Sequence, residues 1–291
     1  MEMFQRLRFT EFCILSLFVF VFQLGPVHAQ NELDRALLQR RVDFLEDVSL
    51  SPMLQGEKEF LAGRFDRLYA LIKNYEIRAQ TDALERTRFF LLRGELETLQ
   101  QHPDLAEKNF RQAQKECPID KPWARQRVLR ASCLHLIQQH RFQQAQEILE
   151  NLPQSSDSFT PIELLAHLNE AQGNLQEARI LWEHLELVSG EGEWERLGSV
   201  ASYQRGRLAR IFKKKQDGSR TLWRAVEQSS SLSDWGTADA ALTLLSKHPR
   251  DQNFPLQEKL EELLPLLPPG RFSWRVLLEI KANNLSLEKA Q

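Results

Sequence analysis

Glycine, proline and tyrosine are scarce in this chain, and their scarcity excludes several fold classes. The 291 residues include only 12 glycines, 12 prolines and 3 tyrosines. Sheets joined by tight turns need glycine and proline at those turns, and their strands carry runs of β-branched residues, which are few here. The composition therefore argues against a β-sandwich, a β-barrel and a doubly wound α/β sheet.

Positive and negative residues are nearly balanced, which argues against partners that bind through a strong net charge of the whole protein. Thirty-eight Lys and Arg residues stand against 40 Asp and Glu residues, so the formal net charge is −2. Such a balance does not draw a protein to nucleic acid or to a membrane surface. Hydrophobic residues make up 42% and charged residues 27% of the chain. That mixture can build a core and is not typical of intrinsic disorder.

The N-terminus carries the pattern of a secretory signal peptide. Two arginines precede an apolar run at residues 12–24, Pro26 follows it, and the residues Val27-His28-Ala29 suit a signal peptidase. The run is shorter than the ~20 residues that span a bilayer. We therefore expect cleavage after Ala29, a single mature domain of residues 30–291, and a periplasmic or secreted location. An uncleaved N-terminal anchor is the alternative.

Two cysteines remain in the mature chain, and the helical pattern keeps them apart. Cys117 ends one predicted helix and Cys133 lies about three turns into the next. At a rise of about 1.5 Å per residue this separation is far larger than the ~7 Å between Cα atoms that a disulfide allows. We predict two free, mostly buried thiols.

Apolar residues recur with helical spacing along nearly the whole chain. Leu33, Leu37, Leu38 and Val42 give one example, and no stretch alternates apolar and polar residues as a strand would. Short breaks rich in Pro, Ser and Gly separate helices of about 10–17 residues, which fall into pairs. The pattern predicts an all-α protein of about 10–13 helices.

The helix pairs share an internal frame. The clearest pair spans residues 161–185, with a turn at Gly173-Asn174, small residues where the helices cross and Trp182 filling the groove between them. Four pairs carry an equivalent small residue in the second helix, spaced 39, 33 and 40 residues apart: Ala106, Ala145, Ala178 and Gly218. Two pairs lack the turn glycine and have Gln101 or His140 in its place.

This frame resembles the tetratricopeptide repeat, most clearly over residues 88–228. The resemblance implies a right-handed α-solenoid of stacked antiparallel helix pairs, because a single pair cannot bury its own apolar stripe. It also implies that the first helix of each pair lines a concave groove, where members of this family bind peptides or protein segments. Such proteins generally carry no catalysis, so we expect no enzyme activity and no cofactor.

Sequence motifs for catalysis and metal binding are missing or out of context. His135 and His140 are five residues apart and do not share a helix face, and His167 with Glu170 lacks a second histidine. The pair Gly190 and Gly192 has no third glycine to complete a dinucleotide fingerprint. We therefore predict no metal site and no catalytic residue.

A basic segment at residues 205–224 is the most unusual feature of the chain. Its eight basic residues form either a solvated helix, with favourable cations near its C-terminal end, or an anion-binding patch. In the repeat frame, first helices turn six candidate residues into the groove: Arg88, Arg127, Arg130, Tyr203, Arg207 and Arg210. Lys121, Arg125 and Lys214 are predicted at its rim. Guanidinium groups suit carboxylates, and an exported protein seldom meets nucleic acid. The expected partner is therefore a protein or peptide with acidic segments, or else an anionic envelope polymer.

The sequence thus predicts an exported helical-repeat scaffold that binds a protein or peptide partner in the bacterial envelope. One alternative is the superhelical region of a cell-wall enzyme such as a lytic transglycosylase, without its catalytic domain. Another is a purely structural repeat that forms oligomers. The sequence names neither the partner nor the oligomeric state.

Overall fold

The computed structural model describes residues 50–61, 64–77, 81–152, 159–189, 195–212, 215–232, 235–246 and 256–263. The predicted signal peptide with its cleavage site, and the predicted rim residue Lys214, lie outside the described residues.

The described part of the chain is all-α, as predicted. Helices account for 85% of these residues, and no strand occurs among them. The described segments contain twelve helices, in chain order: α1 (Pro52–Leu61), α2 (Phe65–Asn74), α3 (Ala83–Leu99), α4 (Pro103–Glu116), α5 (Pro122–Gln138), α6 (Phe142–Glu150), α7 (Thr160–Ala171), α8 (Leu175–Ser189), α9 (Glu195–Ile211), α10 (Lys215–Ser231), α11 (Trp235–Ser246) and α12 (Leu256–Leu263).

Local sequence fixes where several of these helices begin. Pro103 and Pro122 open α4 and α5, where a missing backbone N–H costs nothing and the fixed φ angle suits a helix. The Asp82 carboxylate caps α3 by accepting hydrogen bonds from the backbone N–H groups of Leu84 and Glu85. These signals lie within one turn of each helix start, which is why the sequence reveals them.

Three of the helix pairs close through an equivalent left-handed turn. The φ angles are 62° at Gln101, 57° at His140 and 86° at Gly173, and each residue stands in a three-residue connection. The structure therefore confirms that Gln101 and His140 replace the turn glycine. A non-glycine residue in this conformation costs roughly 1–2 kcal/mol, so packing of the two flanking helices holds these turns.

From α1 to α11 each helix packs against the next, α12 contributes to the last hydrophobic cluster, and odd-numbered helices also pack against one another. Contacts of this second kind join α1 to α3, α3 to α5, α5 to α7, and α9 to α11. The predicted small residues Ala106, Ala145 and Ala178 are fully buried. At the α9–α10 crossing, Gly206 and Gly218 approach so closely that neither has room for a side chain. The core is consequently a row of clusters along the chain, each shared by neighbouring helices.

Both cysteines of the described chain are free, as predicted. Cys133 is buried within α5 and Cys117 is partly buried just after α4. Burial raises the pKa of Cys133 to about 12, and burial likewise raises that of Cys117. Both groups are therefore neutral thiols, which are poor nucleophiles and poor metal ligands. None of the helices described here is long and apolar enough to cross a membrane.

Candidate functional site

The odd-numbered helices direct one face each toward a common space. On α9 this face carries Val200, Tyr203 and Gln204, and on α7 it carries Glu163 and His167. Spacings of three and four residues place such side chains on one side of a helix. Four of the five consecutive pairs of odd helices pack against each other, and the Arg207–Glu170 ion pair joins α7 to α9, so these faces border a shared space.

Side chains from all six odd helices, α1 to α11, surround one cavity of about 400 Å³. We call it the six-helix cavity. Each helix contributes at least one lining residue, for example Phe60, Glu95, Arg130, His167, Tyr203 and Ala240 in chain order. Its volume lies in the range of sites that hold a small ligand or a few side chains of a partner.

The lining of the six-helix cavity combines apolar surface with uncharged polar groups and three charged residues. Leu134, Ile137 and Val200 add apolar surface to that of the aromatic rings. Burial raises the pKa of Tyr203, so its hydroxyl is protonated at neutral pH and can donate a hydrogen bond. Burial also lowers the pKa of His167, whose ring meets Trp182 edge to face at 4.9 Å between centroids. His167 is therefore neutral at pH 7.

Ion pairs connect the odd helices beside the cavity. Glu57 on α1 is fully buried and accepts a hydrogen bond from Arg127 Nη1 at 2.7 Å. Its other oxygen forms an ion pair with Arg88 Nε at 3.3 Å. Arg88 also lies over the Trp123 ring, 5.7 Å from its centroid. One carboxylate thus ties α1 to both α3 and α5.

Two further ion pairs continue this ladder. Arg130 on α5 donates two hydrogen bonds to the carboxylate of Glu163 on α7, one from Nη2 to Oε1 and one from Nε to Oε2 at 2.7 Å. Arg207 on α9 donates to Glu170 on α7 and, at 2.9 Å, to Gln204. Burial lowers the pKa of Arg130, but the charge and hydrogen bonds of Glu163 together with the charge of nearby Glu95 outweigh that effect, and the net pKa is raised. The guanidinium is therefore always charged.

The six residues predicted for the groove all lie on odd helices, but the structure gives them different surroundings. Arg130 and Tyr203 line the six-helix cavity. Arg88, Arg127 and Arg207 are engaged in the ion pairs just described. Arg210 donates to the Leu244 carbonyl on α11 at 3.4 Å. The described structure holds no partner, so their role in binding stays a prediction.

Two of the three predicted rim residues are described by the structure. Lys121 precedes the first residue of α5 as its N-cap. Arg125 lies on the face of α5 opposite to Arg130 and Leu134, and it lines a different cavity. A place for these residues at the rim of the groove stays a prediction.

Several cavity residues were missed by the sequence analysis, which searched for cations. Phe60, Glu95, Glu163 and His167 line the cavity and carry no positive charge at pH 7. Glu163 and His167 are spaced by four residues on a first helix, as Arg130 and Leu134 are. Applying the repeat frame to every first helix, whatever its residue types, would have found them.

Metal binding and family membership receive no support. Among the described residues, no group of three or more His, Cys, Asp or Glu side chains is placed to hold a metal ion. No protein-family model matches the chain, and no curated protein matches it either.

Proposed function

We propose that this protein is an exported, tetratricopeptide-like scaffold that binds a protein or peptide partner in the bacterial envelope. According to this proposal, the helix pairs stack into a right-handed superhelix whose concave groove is the six-helix cavity. One observation carries the proposal: six helices that are far apart in sequence turn side chains into a single cavity.

The composition of the cavity supports a peptide-like guest. Apolar and aromatic side chains can cover the apolar parts of a bound segment, and Gln138, Gln204 and the Tyr203 hydroxyl can bond its backbone amides. Helices of a packed scaffold hold such groups in fixed positions, so little ordering entropy is lost on binding.

The ion pairs bear on the expected acidity of the partner. A guanidinium that already donates to a buried carboxylate has less attraction left for a second one, and the carboxylates cancel much of the positive field. An acidic partner remains a prediction. It is tested by measuring binding at increasing salt concentration, because exposed charge attraction is screened over ~8 Å at physiological ionic strength.

Site-specific photo-cross-linking in intact cells tests the proposed function. In the full chain with its N-terminal segment, a photoreactive residue replaces Gln138. This residue is exposed and lines the cavity. The matched control replaces Gln176, an exposed residue of α8. We expect a discrete protein adduct in the envelope fraction from position 138 and none from position 176.

A second variant links the adduct to the cavity. Tyr203→Ala removes a partly buried ring from the lining and should abolish the adduct at position 138 while helical circular dichroism is retained. Equal adducts at both positions, or an adduct indifferent to Tyr203→Ala, would contradict the proposal.

A further inference from the structure

A second cavity, of about 390 Å³, lies between α4, α5 and α6. We call it the α4–α6 cleft. Arg125, Leu129, Ser132 and Leu136 line it from α5, at spacings of four, three and four residues. They occupy the face of α5 opposite to the one that lines the six-helix cavity, since 3.6 residues complete a turn. The two cavities are therefore separated by the body of α5.

The floor of the α4–α6 cleft is apolar. Phe110 on α4, Leu129 and Leu136 on α5 and Ile148 on α6 all line it. The Phe110 ring also packs against His135, with 5.5 Å between ring centroids. α6 has nine residues, against 14 in α4. A large apolar side chain of a partner could therefore be covered by three helices.

An ion-pair clasp holds one end of the cleft in place. Arg141 donates two hydrogen bonds to Glu107, at 2.7 and 3.1 Å, and Arg111 donates a third at 2.6 Å. Arg141 Nε further donates to the Gln144 carbonyl oxygen at 2.5 Å. These contacts join α4 to the turn before α6, so the cleft is formed without a ligand.

The charges around the cleft leave one cation available. Three guanidinium groups line it against two carboxylates, Glu107 and Glu147. Arg111 and Arg141 both form ion pairs with Glu107. Arg125 is exposed, and within the part of the chain that the structure describes no carboxylate pairs with it. The exposed face of α4 beside the cleft adds Lys108 and Lys115.

We propose that the α4–α6 cleft is a second binding site, which takes a protein segment with a carboxylate next to an aromatic or large aliphatic side chain. Arg125 receives the carboxylate, for which its planar fork is suited. The neighbouring apolar side chain covers the floor formed by Phe110, Leu129 and Ile148. Gln114 and Asn151 at the edge donate to Ser132 Oγ and to the Glu147 backbone carbonyl, so their side-chain oxygens are the groups that accept from the segment's backbone. The site acts independently of the six-helix cavity.

A double-mutant cycle between protein and peptide tests this site. The probes are two fluorescein-labelled, end-blocked peptides, Gly-Phe-Asp-Leu-Gly and its counterpart with Asn in place of Asp. Fluorescence anisotropy at low salt measures their affinity for the full chain and for Arg125→Gln. We expect the Asp peptide to bind the wild-type chain about fivefold more tightly than the Asn peptide, and Arg125→Gln to remove that difference.

Two controls separate the cleft from general charge effects and from the six-helix cavity. Arg67→Gln removes an exposed arginine of α2 and should preserve the fivefold preference. A peptide with photoreactive benzoylphenylalanine in place of Phe should label α4, α6 or the face of α5 that carries Arg125 and Leu129. Tyr203→Ala should not reduce that labelling. If the envelope adduct at position 138 were not found, that result would contradict the proposed role of the six-helix cavity and would not bear on the α4–α6 cleft.

Three results would overturn the second site. The first is a dissociation constant above about 1 mM for the Asp peptide. The second is an Asp preference that persists in Arg125→Gln. The third is photolabelling confined to residues that line the six-helix cavity.

Discussion

Arginine side chains of the odd helices serve first to join helices. In the sequence Arg127, Arg130 and Arg207 read as surplus cations on amphipathic helices. In the fold each receives a carboxylate from a helix two or four elements away, at separations of 70, 33 and 37 residues. A fully buried carboxylate such as Glu57 is tolerable only because guanidinium groups bond it. Charge reversal at Arg207 would thus perturb stability as well as any binding.

Breaking the Arg130–Glu163 pair on one side should destabilise the protein strongly. Arg130→Met leaves the buried Glu163 carboxylate without its guanidinium, which we expect to reduce the free energy of unfolding by about 3 kcal/mol. The double variant Arg130→Met/Glu163→Leu removes both charges and should recover most of that loss. Urea unfolding of the three proteins measures the effect. Equal losses in the single and double variants would show that the unpaired Glu163 carboxylate is not the source of the loss.

Glu107 should make stability depend on pH. The hydrogen bond from Arg141 is the main reason that its pKa falls to about 2, below the ~4.3 of an unfolded chain. The ionised form is therefore favoured by folding, so this stabilisation is present above about pH 4.5 and is lost as pH falls toward 2. Because the three side chains are partly to largely exposed, solvent screening reduces it to about 1 kcal/mol.

The variant Glu107→Gln isolates this contribution. At pH 6 it should unfold about 1 kcal/mol more easily than the wild-type chain, and at pH 2 the difference should vanish. Chemical unfolding at both pH values gives the comparison. A difference that is the same at both would show that the carboxylate charge is not its source.

Individual helices meet through small residues at their crossings. Among the described glycines, Gly206 at the α9–α10 crossing has the shortest distance between an added Cβ atom and a backbone atom of the neighbouring helix. A Cβ atom on Gly206 would lie 2.9 Å from the Leu222 backbone nitrogen and 3.1 Å from the Gly218 carbonyl oxygen. Backbone atoms of a packed helix cannot move aside as a side chain can. The residue type at this position therefore sets how closely the two helices pack.

Replacing Gly206 by alanine should destabilise the protein despite alanine's better helix propensity. The propensity gain is about 1 kcal/mol, and overpacking against backbone costs up to about 3 kcal/mol, so we expect a net loss of about 1–2 kcal/mol. Gly198→Ala in the same helix is the matched control, since its Cβ would meet the Ser189 hydroxyl at 2.9 Å but no backbone atom closer than 3.8 Å. That control should be neutral or stabilising in thermal unfolding, and the opposite ranking would place the crossing elsewhere.

The described chain is organised as a row, in which packing joins helices that are near neighbours in sequence. The hydrophobic clusters follow one another along the chain, from one around Leu68 and Leu92 to one around Leu222 and Leu242. Structures with such nearest-neighbour contacts unfold in parts, because a defect in one pair weakens mainly the pairs beside it.

A local defect should therefore have a local effect on hydrogen exchange. A Cβ atom on Gly94 would lie 2.6 Å from the Phe110 ring, so Gly94→Ala should loosen α3 and α4. We expect faster amide exchange in α3, α4 and α5 and unchanged exchange in α9 and α10, measured by mass spectrometry. Uniform acceleration in every helix would instead indicate one cooperative unit.

The sequence by itself determined the elements of this protein. Helical periodicity, prolines at helix starts, the turn positions of Gln101 and His140, and small residues such as Ala178 are signals read within a few residues, and the structure confirms them. Free cysteines followed from the same local geometry. The repeat frame also placed Arg130 and Tyr203 on the helix faces that line the six-helix cavity.

Only the tertiary structure decided which groups meet. The frame did not reveal that Glu57 would bond Arg127, or that Arg125 would line a separate cleft on the other face of α5. The contacts between helices depend on how each helix is rotated and shifted against its neighbours, and these choices accumulate along the row. A local pattern contains no measure of that accumulation, so the cavity and its ion pairs arise only when the whole row of helices is packed.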